Sequence, residues 1–242
     1  MTELQRGNRF LAAFNEIERH FRNYFHAGDN VEFGQLARDY IRKNRLPRQY
    51  EDSLRVFASL RNAISHGRFY GGRPIAEPVE YVVGQIEHLR DQILVPRKAY
   101  AVVGPQNVCV TRPDESVTVV LEKVRQFDYS QLPVYDGSGY AGILTTNTIA
   151  RWLGDQLARN GGIAEGEPVS AILRFAEAHE KALLVCRTIT ASEAVDLLSH
   201  GGAAGKPLTA LIITDGGNVG DTPLAVVASD DLPALSDALA IG

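Results

Sequence analysis

Gly142-Ile143-Leu144-Thr145-Thr146-Asn147-Thr148 and Ala225-Val226-Val227-Ala228-Ser229-Asp230-Asp231 are one short phrase written twice. Each is an apolar strand running into a polar cluster of the kind that opens a helix. Working outward, the neighbours also repeat. An amphipathic helix stands first, Asp114 to Phe127 or Ala191 to His200. A strand follows, Gln131 to Asp136 or Thr209 to Asp215, and then a second strand, Tyr140 to Leu144 or Leu224 to Val227. Thr111 to Trp152 and Thr188 to Leu235 therefore read as two copies of one unit, which imply two modules that bury a shared face and leave paired clefts. Such clefts suit a small ligand.

The 242 residues suffice for one large domain or two small ones, and 45% hydrophobic with 22% charged residues is ordinary for a globular chain. No apolar run approaches the roughly 20 residues of a membrane-spanning helix. Met1 to Arg9 lacks a signal-peptide core, so a cytoplasmic location with no membrane partner is expected. Cys109 and Cys186 lie in apolar runs and are expected to be buried, reduced thiols, with no disulfide and no metal site. Charge is uneven. Residues 1–98 carry 16 Lys and Arg against 12 Asp and Glu, whereas residues 99–242 carry 9 against 17. An anionic partner such as RNA is thus permitted for the first part and disfavoured for the second.

The first 95 residues read as helices. Phe10, Phe14, Ile17, Phe21 and Phe25 recur at helical spacing. Further helices are expected from Phe33 to Lys43, from Pro47 to His66 with Gly67 ending it, and from Pro78 to Leu94 burying Val82, Ile86, Leu89 and Ile93. Gly71-Gly72-Arg73-Pro74 is a loop. Together these predict a four-helix up-and-down bundle over residues 1–95. Pro96-Arg97-Lys98 marks a boundary, after which strand-length runs such as Val108 to Val110 begin. Asn160 to Pro168 links the two repeats, a helix is expected from Pro168 to His179, and a strand from Leu183 to Cys186. Gly201 to Gly205 and Gly216 to Gly220 read as turns, since neither leads into a helix as a phosphate cradle would. The fold class is α+β: a helical domain, then α/β modules over 100–242, repeat 1 at about 100–160 and repeat 2 at about 165–242.

Leu132-Pro133-Val134-Tyr135-Asp136 with Gly142 to Thr148, and Leu211-Ile212-Ile213-Thr214-Asp215 with Ala225 to Asp231, resemble a pseudo-symmetric pair of cystathionine-β-synthase (CBS) domains. The resemblance implies a sensory module that binds an adenine nucleotide, such as AMP or ATP, and does no chemistry itself. The family pattern is a Gly, two apolar residues, a Thr or Ser, and an Asp three positions later. Here it is split. The first copy keeps Gly142 and Thr145 but has Thr148 in the Asp position; the second keeps Asp231 but has Ala225 and Ala228, with Ser229 adjacent. The resemblance implies a nucleotide-binding set of Thr111, Thr145, Asn147, Thr148 and Arg151 in the first copy and Thr188, Ser229 and Asp231 in the second. Arg151 would attract a phosphate and Asp230 would repel one. The competing reading makes Thr145 and Ser229 helix caps and Asp231 a first-turn acid.

In the helical part, Arg61-Asn62-Ala63-Ile64-Ser65-His66 places Asn62 and His66 on one helix face with Arg61 beside them. With Phe14-Asn15-Glu16-Ile17-Glu18, this resembles the HEPN (higher eukaryotes and prokaryotes nucleotide-binding) superfamily. That resemblance implies a homodimer and a metal-independent ribonuclease with Arg61, Asn62 and His66 as catalytic residues. His66 would exchange protons with a ribose hydroxyl, Arg61 would stabilise phosphoryl charge, and Asn62 would orient the histidine or a phosphate oxygen. Glu16 is within reach of Arg61 across the bundle. Equally, an Arg and a His late in a helix simply meet its negative end. Two functions stay open: a ligand-regulated HEPN ribonuclease, and a non-catalytic nucleotide-binding or oligomerisation protein.

Overall fold

Apolar residues at every third or fourth position force the N-terminal segments to coil so that one stripe leaves water. In the computed structural model these segments are α1 (Glu3–Phe25), α2 (Phe33–Lys43), α3 (Arg48–His66) and α4 (Glu80–Leu94). The structure describes residues 3–66, 76–127, 129–161, 166–201 and 208–241, with the backbone alone for Glu3, Leu4, His66 and Asn160. The expected helix-ending Gly67, the loop Gly71 to Pro74, Gly162 of the linker and Gly202 to Gly205 lie outside the described residues.

The chain divides into two compact units. One holds residues 1–97 with 190–193 and 236–242; the other holds 98–189 and 194–235.

In the first unit Phe10, Phe14, Ile17 and Phe21 of α1 meet Tyr40 and Ile41 of α2, Tyr50, Leu54 and Phe57 of α3, and Ile86, Leu89 and Ile93 of α4 in one core. Phe25, expected on the same stripe, is only half-buried, and Val83 rather than Val82 is the fully buried valine of α4. Arg9 ties α1 to α4 through Glu80 at 2.7 Å and Glu87 at 2.8 Å. The C-terminal residues belong to this unit. The fully buried Tyr50 donates its hydroxyl to the Leu239 carbonyl at 2.9 Å, and Gln92 donates to the Ala238 carbonyl at 3.1 Å.

The second unit opens with α5 (Ala99–Val103), which stops at Gly104. No strand forms over Val108 to Val110. Pairing is confined to Thr111, a single parallel bridge to Val134, while the Val110 carbonyl takes the Lys123 ammonium at 3.2 Å. There follow α6 (Val117–Phe127), β1 (Gln131–Asp136), β2 (Gly139–Thr145), α7 (Thr146–Asn160) and α8 (Val169–Ile172). Then come β3 (Ala182–Cys186), α9 (Ala191–His200), which belongs to this unit from residue 194, β4 (Ala210–Thr214), β5 (Ala225–Ala228) and α10 (Leu232–Asp237), which belongs to it as far as residue 235. Helix α6 begins at Val117 and not at Asp114, because Ser116 bridges to Pro168 and its hydroxyl accepts from the Thr118 amide. The helix expected from Pro168 to His179 ends early. After α8 comes a 3-10 turn, Leu173–Phe175, and Ala176 is extended.

Strand pairing follows one plan in both halves of this unit. β1 runs antiparallel to β2 and takes the Thr111 bridge in parallel; β4 runs antiparallel to β5 and takes β3 in parallel. β4, Ala-Leu-Ile-Ile-Thr, is buried at every position, which its unbroken apolar run requires of a central strand. Val117, Val120, Leu132, Val134, Leu144, Ile149 and Trp152 form the first core, and Ile143 of β2 packs against Ala210 and Ala228.

Gly139 shows how tightly the hairpin is held. Its φ is +117°, and an added Cβ would lie 2.2 Å from the Val219 carbonyl oxygen. Gly139→Ala should therefore cost about 2 kcal/mol or more of stability, through backbone strain and that clash. Gly137→Ala, with nothing within 4 Å, should change the urea midpoint little.

Candidate functional site

The N-terminus of α7 is built by Thr145. In the capping position, its hydroxyl oxygen accepts from the Thr148 amide at 3.0 Å, as a hydroxyl ahead of a helix is suited to do. The same hydroxyl donates outward, to the Glu180 carboxylate at 2.5 Å. Thr148 donates its own hydroxyl to the other Glu180 oxygen at 3.1 Å, and the Glu177 amide donates to that oxygen at 2.7 Å. One turn further along α7, the Arg151 guanidinium pairs with the same oxygen and also donates to the Phe175 carbonyl at 2.8 Å. The Glu180 side chain is 3% exposed. Burial raises its pKa, but the hydrogen bonds from Thr145, Glu177 and Thr148 and the Arg151 charge outweigh that, leaving the carboxyl below its usual range.

Three residues expected to meet a nucleotide, Thr145, Thr148 and Arg151, are thus brought together on an internal carboxylate. An aspartate at 148 would stand against Glu180 and repel it; the threonine donates instead. Sequence reading missed Glu180. The one signal for it was the absence of an acid at 148.

The other expected nucleotide contacts do not enter this cluster. Thr111 is buried and donates to Glu115 at 2.5 Å; Asn147 is exposed. In the second copy Thr188 donates to the Cys186 sulfur at 3.2 Å, and Asp231 accepts from the Ala228 amide at 2.9 Å beside an exposed Ser229. The loop Gly216 to Gly220 closes around an internal carboxylate of its own. Asp221 accepts from the amides of Asn218 at 3.1 Å and Gly216 at 2.9 Å and from the Thr214 hydroxyl at 3.0 Å, contacts that hold it below the usual carboxylate range. The adjoining cleft, about 340 Å³, is lined by Tyr135, Asp136, Gly139 and Asp221 among others. Two aspartates make it a poor seat for phosphate.

In the helical unit Arg61 lies 5.3 Å over the Phe14 ring and pairs with Glu18 at 3.2 Å. Glu18, not Glu16, is its partner; Glu16 pairs with Arg90 at 3.4 Å. Asn62 is exposed and accepts from Arg61 at 3.1 Å. The His66 side chain lies outside the described residues. Cys109 and Cys186 are free but half-buried, more open than their apolar runs predict. Among the described residues, no group of His, Cys, Asp and Glu is arranged to hold a metal ion, and no helix is long and apolar enough to cross a membrane.

Residues 105–155, which contain β1, β2, Thr145, Thr148 and Arg151, match the CBS domain family, so this segment is a CBS domain. No curated protein matches the chain. Similar solved structures include CBSX2 in complex with AMP, at 16% identity over 58% of this chain and 96% of that one, with a TM-score of 0.41. Another is the CBS domain of a bacterial CNNM/CorC family Mg2+ transporter in complex with ATP, at 15% identity over 64% and 94%, with a TM-score of 0.43. A third is the CBS domain of a membrane protein from Sphaerobacter thermophilus, at 15% identity over 58% and 88%, with a TM-score of 0.40.

A carboxylate whose pKa is lowered by folding contributes stability above its ordinary pKa and loses it as pH falls through the lowered value. Glu180→Gln should therefore be less stable than wild type by about 2 kcal/mol at neutral pH. The gap should narrow as the pH falls below the usual carboxylate range and through the lowered pKa, where the wild-type carboxylate is protonated as well. Urea midpoints across that range check this.

Proposed function

We propose that the chain is a ligand-sensing regulator whose residues 100–242 act as a CBS pair for an adenine nucleotide. The observation that carries the reading is the anion niche at the start of α7, within the segment that matches the CBS family. A nucleotide phosphate needs hydroxyl and amide donors at a helix N-terminus and a cation nearby. Thr145, Thr148, the Glu177 amide and Arg151 are that set, and they already hold one anion. The shared strand plan of the two halves supports treating 165–242 as the second module, with Thr188, Ser229 and Asp231 its polar contacts.

In this reading the ligand prefers one arrangement of the protein over another and so biases the helical unit. That unit is read as HEPN-like and dimeric, with Arg61, Asn62 and His66 facing RNA as a metal-independent endoribonuclease. The fixed position of Arg61, between the Phe14 ring and Glu18, favours it as an ordered cation at the end of α3.

Titration calorimetry with AMP and ATP should give saturable heat that falls at least about tenfold in affinity in Arg151→Ala, since a hydrogen bond to a charged group is lost. Cleavage of a mixed RNA pool should be seen with wild type and lost in His66→Ala; no cleavage by either protein returns the helical unit to a non-catalytic docking role.

A further inference from the structure

Every donor in the α7 niche is already in use. Glu180 takes the hydroxyls of Thr145 and Thr148, the Glu177 amide and the Arg151 guanidinium, and its side chain is 3% exposed. No phosphate reaches these donors while the carboxylate is there. Yet the carboxylate arrives on a light tether. Glu177, Ala178 and His179 form an exposed turn, Ala176 before it is extended, and the Glu180 amide closes the turn on the Glu177 carbonyl at 2.9 Å. Directly after Glu180, Lys181 leads into β3, and its carbonyl accepts the Thr209 amide at 2.9 Å at the approach to β4.

We propose that Glu180 is a built-in stand-in for the ligand's anionic group, which a nucleotide phosphate displaces from Thr145, Thr148 and Arg151. The inference rests on the nucleotide-sensing reading and adds how the site is regulated. Ligand entry exchanges one anion for another, so the niche keeps its charge balance while the turn 177–180 is set free. Because the turn runs straight into β3, occupancy of the first module is passed to the strand that pairs with β4. The exchange also sets a threshold. Ligand must outcompete a tethered carboxylate whose effective concentration is far above that of free ligand, so only high nucleotide levels open the niche.

Calorimetry on the full chain tests this with AMP, adenosine and inorganic phosphate, using wild type, Glu180→Gln and Glu180→Ala. Glu180→Gln keeps the side-chain volume should the alanine variant fail to fold. Both variants should bind AMP at least about tenfold more tightly than wild type, adenosine should show no such gain, and Arg151→Ala placed in the Glu180→Gln background should remove it. A gain for inorganic phosphate alone would assign the niche to free phosphate and overturn the nucleotide as the displacing ligand. If wild type binds AMP and neither variant binds it more tightly, the stand-in is overturned while nucleotide sensing survives. If AMP and phosphate bind none of the three proteins, both ideas fall. Trp152, the chain's single tryptophan, shares its core with Leu173 and Phe175 just ahead of the turn. Its emission in wild type should therefore shift at saturating AMP, and an unmoved emission overturns the displacement.

Discussion

A buried carboxylate is the constraint around which the CBS segment is arranged. Removing an ionised side chain from water costs several kcal/mol unless hydrogen bonds and an opposite charge replace the lost hydration. Glu180 has both: two threonine hydroxyls and an amide as donors, and Arg151 as counter-charge. The arrangement fixes more than its own residues. Thr145 must cap α7 in one rotamer to serve both the Thr148 amide and Glu180, and Arg151 must reach back along the helix to meet Glu180 and the Phe175 carbonyl. Those demands hold the turn after Phe175 against the start of α7, and so fix where β3 begins.

The same device recurs on a smaller scale. Asp221 gathers the amides of Gly216 and Asn218, Glu193 accepts from the Thr190 amide at the start of α9, and Asp231 accepts from the Ala228 amide. Each converts exposed backbone donors, which would otherwise attract passing anions, into internal bonds. This explains why the glycine-rich loop at Gly216 to Gly220 is a turn and not a phosphate cradle: its donors are committed to a side chain five residues away at most. Glu180 differs in kind, because its donors include a guanidinium and its side-chain partners Thr145, Thr148 and Arg151 lie 29 to 35 residues distant in sequence.

That difference governs what was legible in the sequence. Periodicity located α1 to α4 and most of their core, since Phe10, Phe14, Ile17 and Phe21 announce one buried stripe. Alternating strand and helix signals located β1, β2, β4 and β5, and the hydroxyl cluster at Thr145 marked the start of α7. Local signals failed where long-range bonds decide. The expected helix to His179 gave way to a turn because Glu177 and Glu180 are drawn to α7, and the expected strand at Val108 gave way because Lys123 occupies the Val110 carbonyl. Nothing in the sequence announces that Ala238 and Leu239 offer their carbonyls to Gln92 and Tyr50. At the site, the family resemblance marked Thr145, Thr148 and Arg151, whereas Glu180 belongs to no motif.

The split motif acquires a physical sense from this geometry. In the family pattern the acid three residues after the hydroxyl sits on the same helix turn; here that turn carries a second hydroxyl, and the acid comes from a different segment. A carboxylate fixed on the helix can only receive donors. A carboxylate on a turn can also leave, and its departure would uncover two hydroxyls and an arginine at once. Acidic Asp230 and Asp231 stand at the corresponding place in the second copy, on a 3-10 turn with no arginine paired to either among the described residues. Electrostatics therefore divides the two copies. Among the described residues, only the first copy pairs its internal acid with an arginine, so only there does a cation stand beside the helix start.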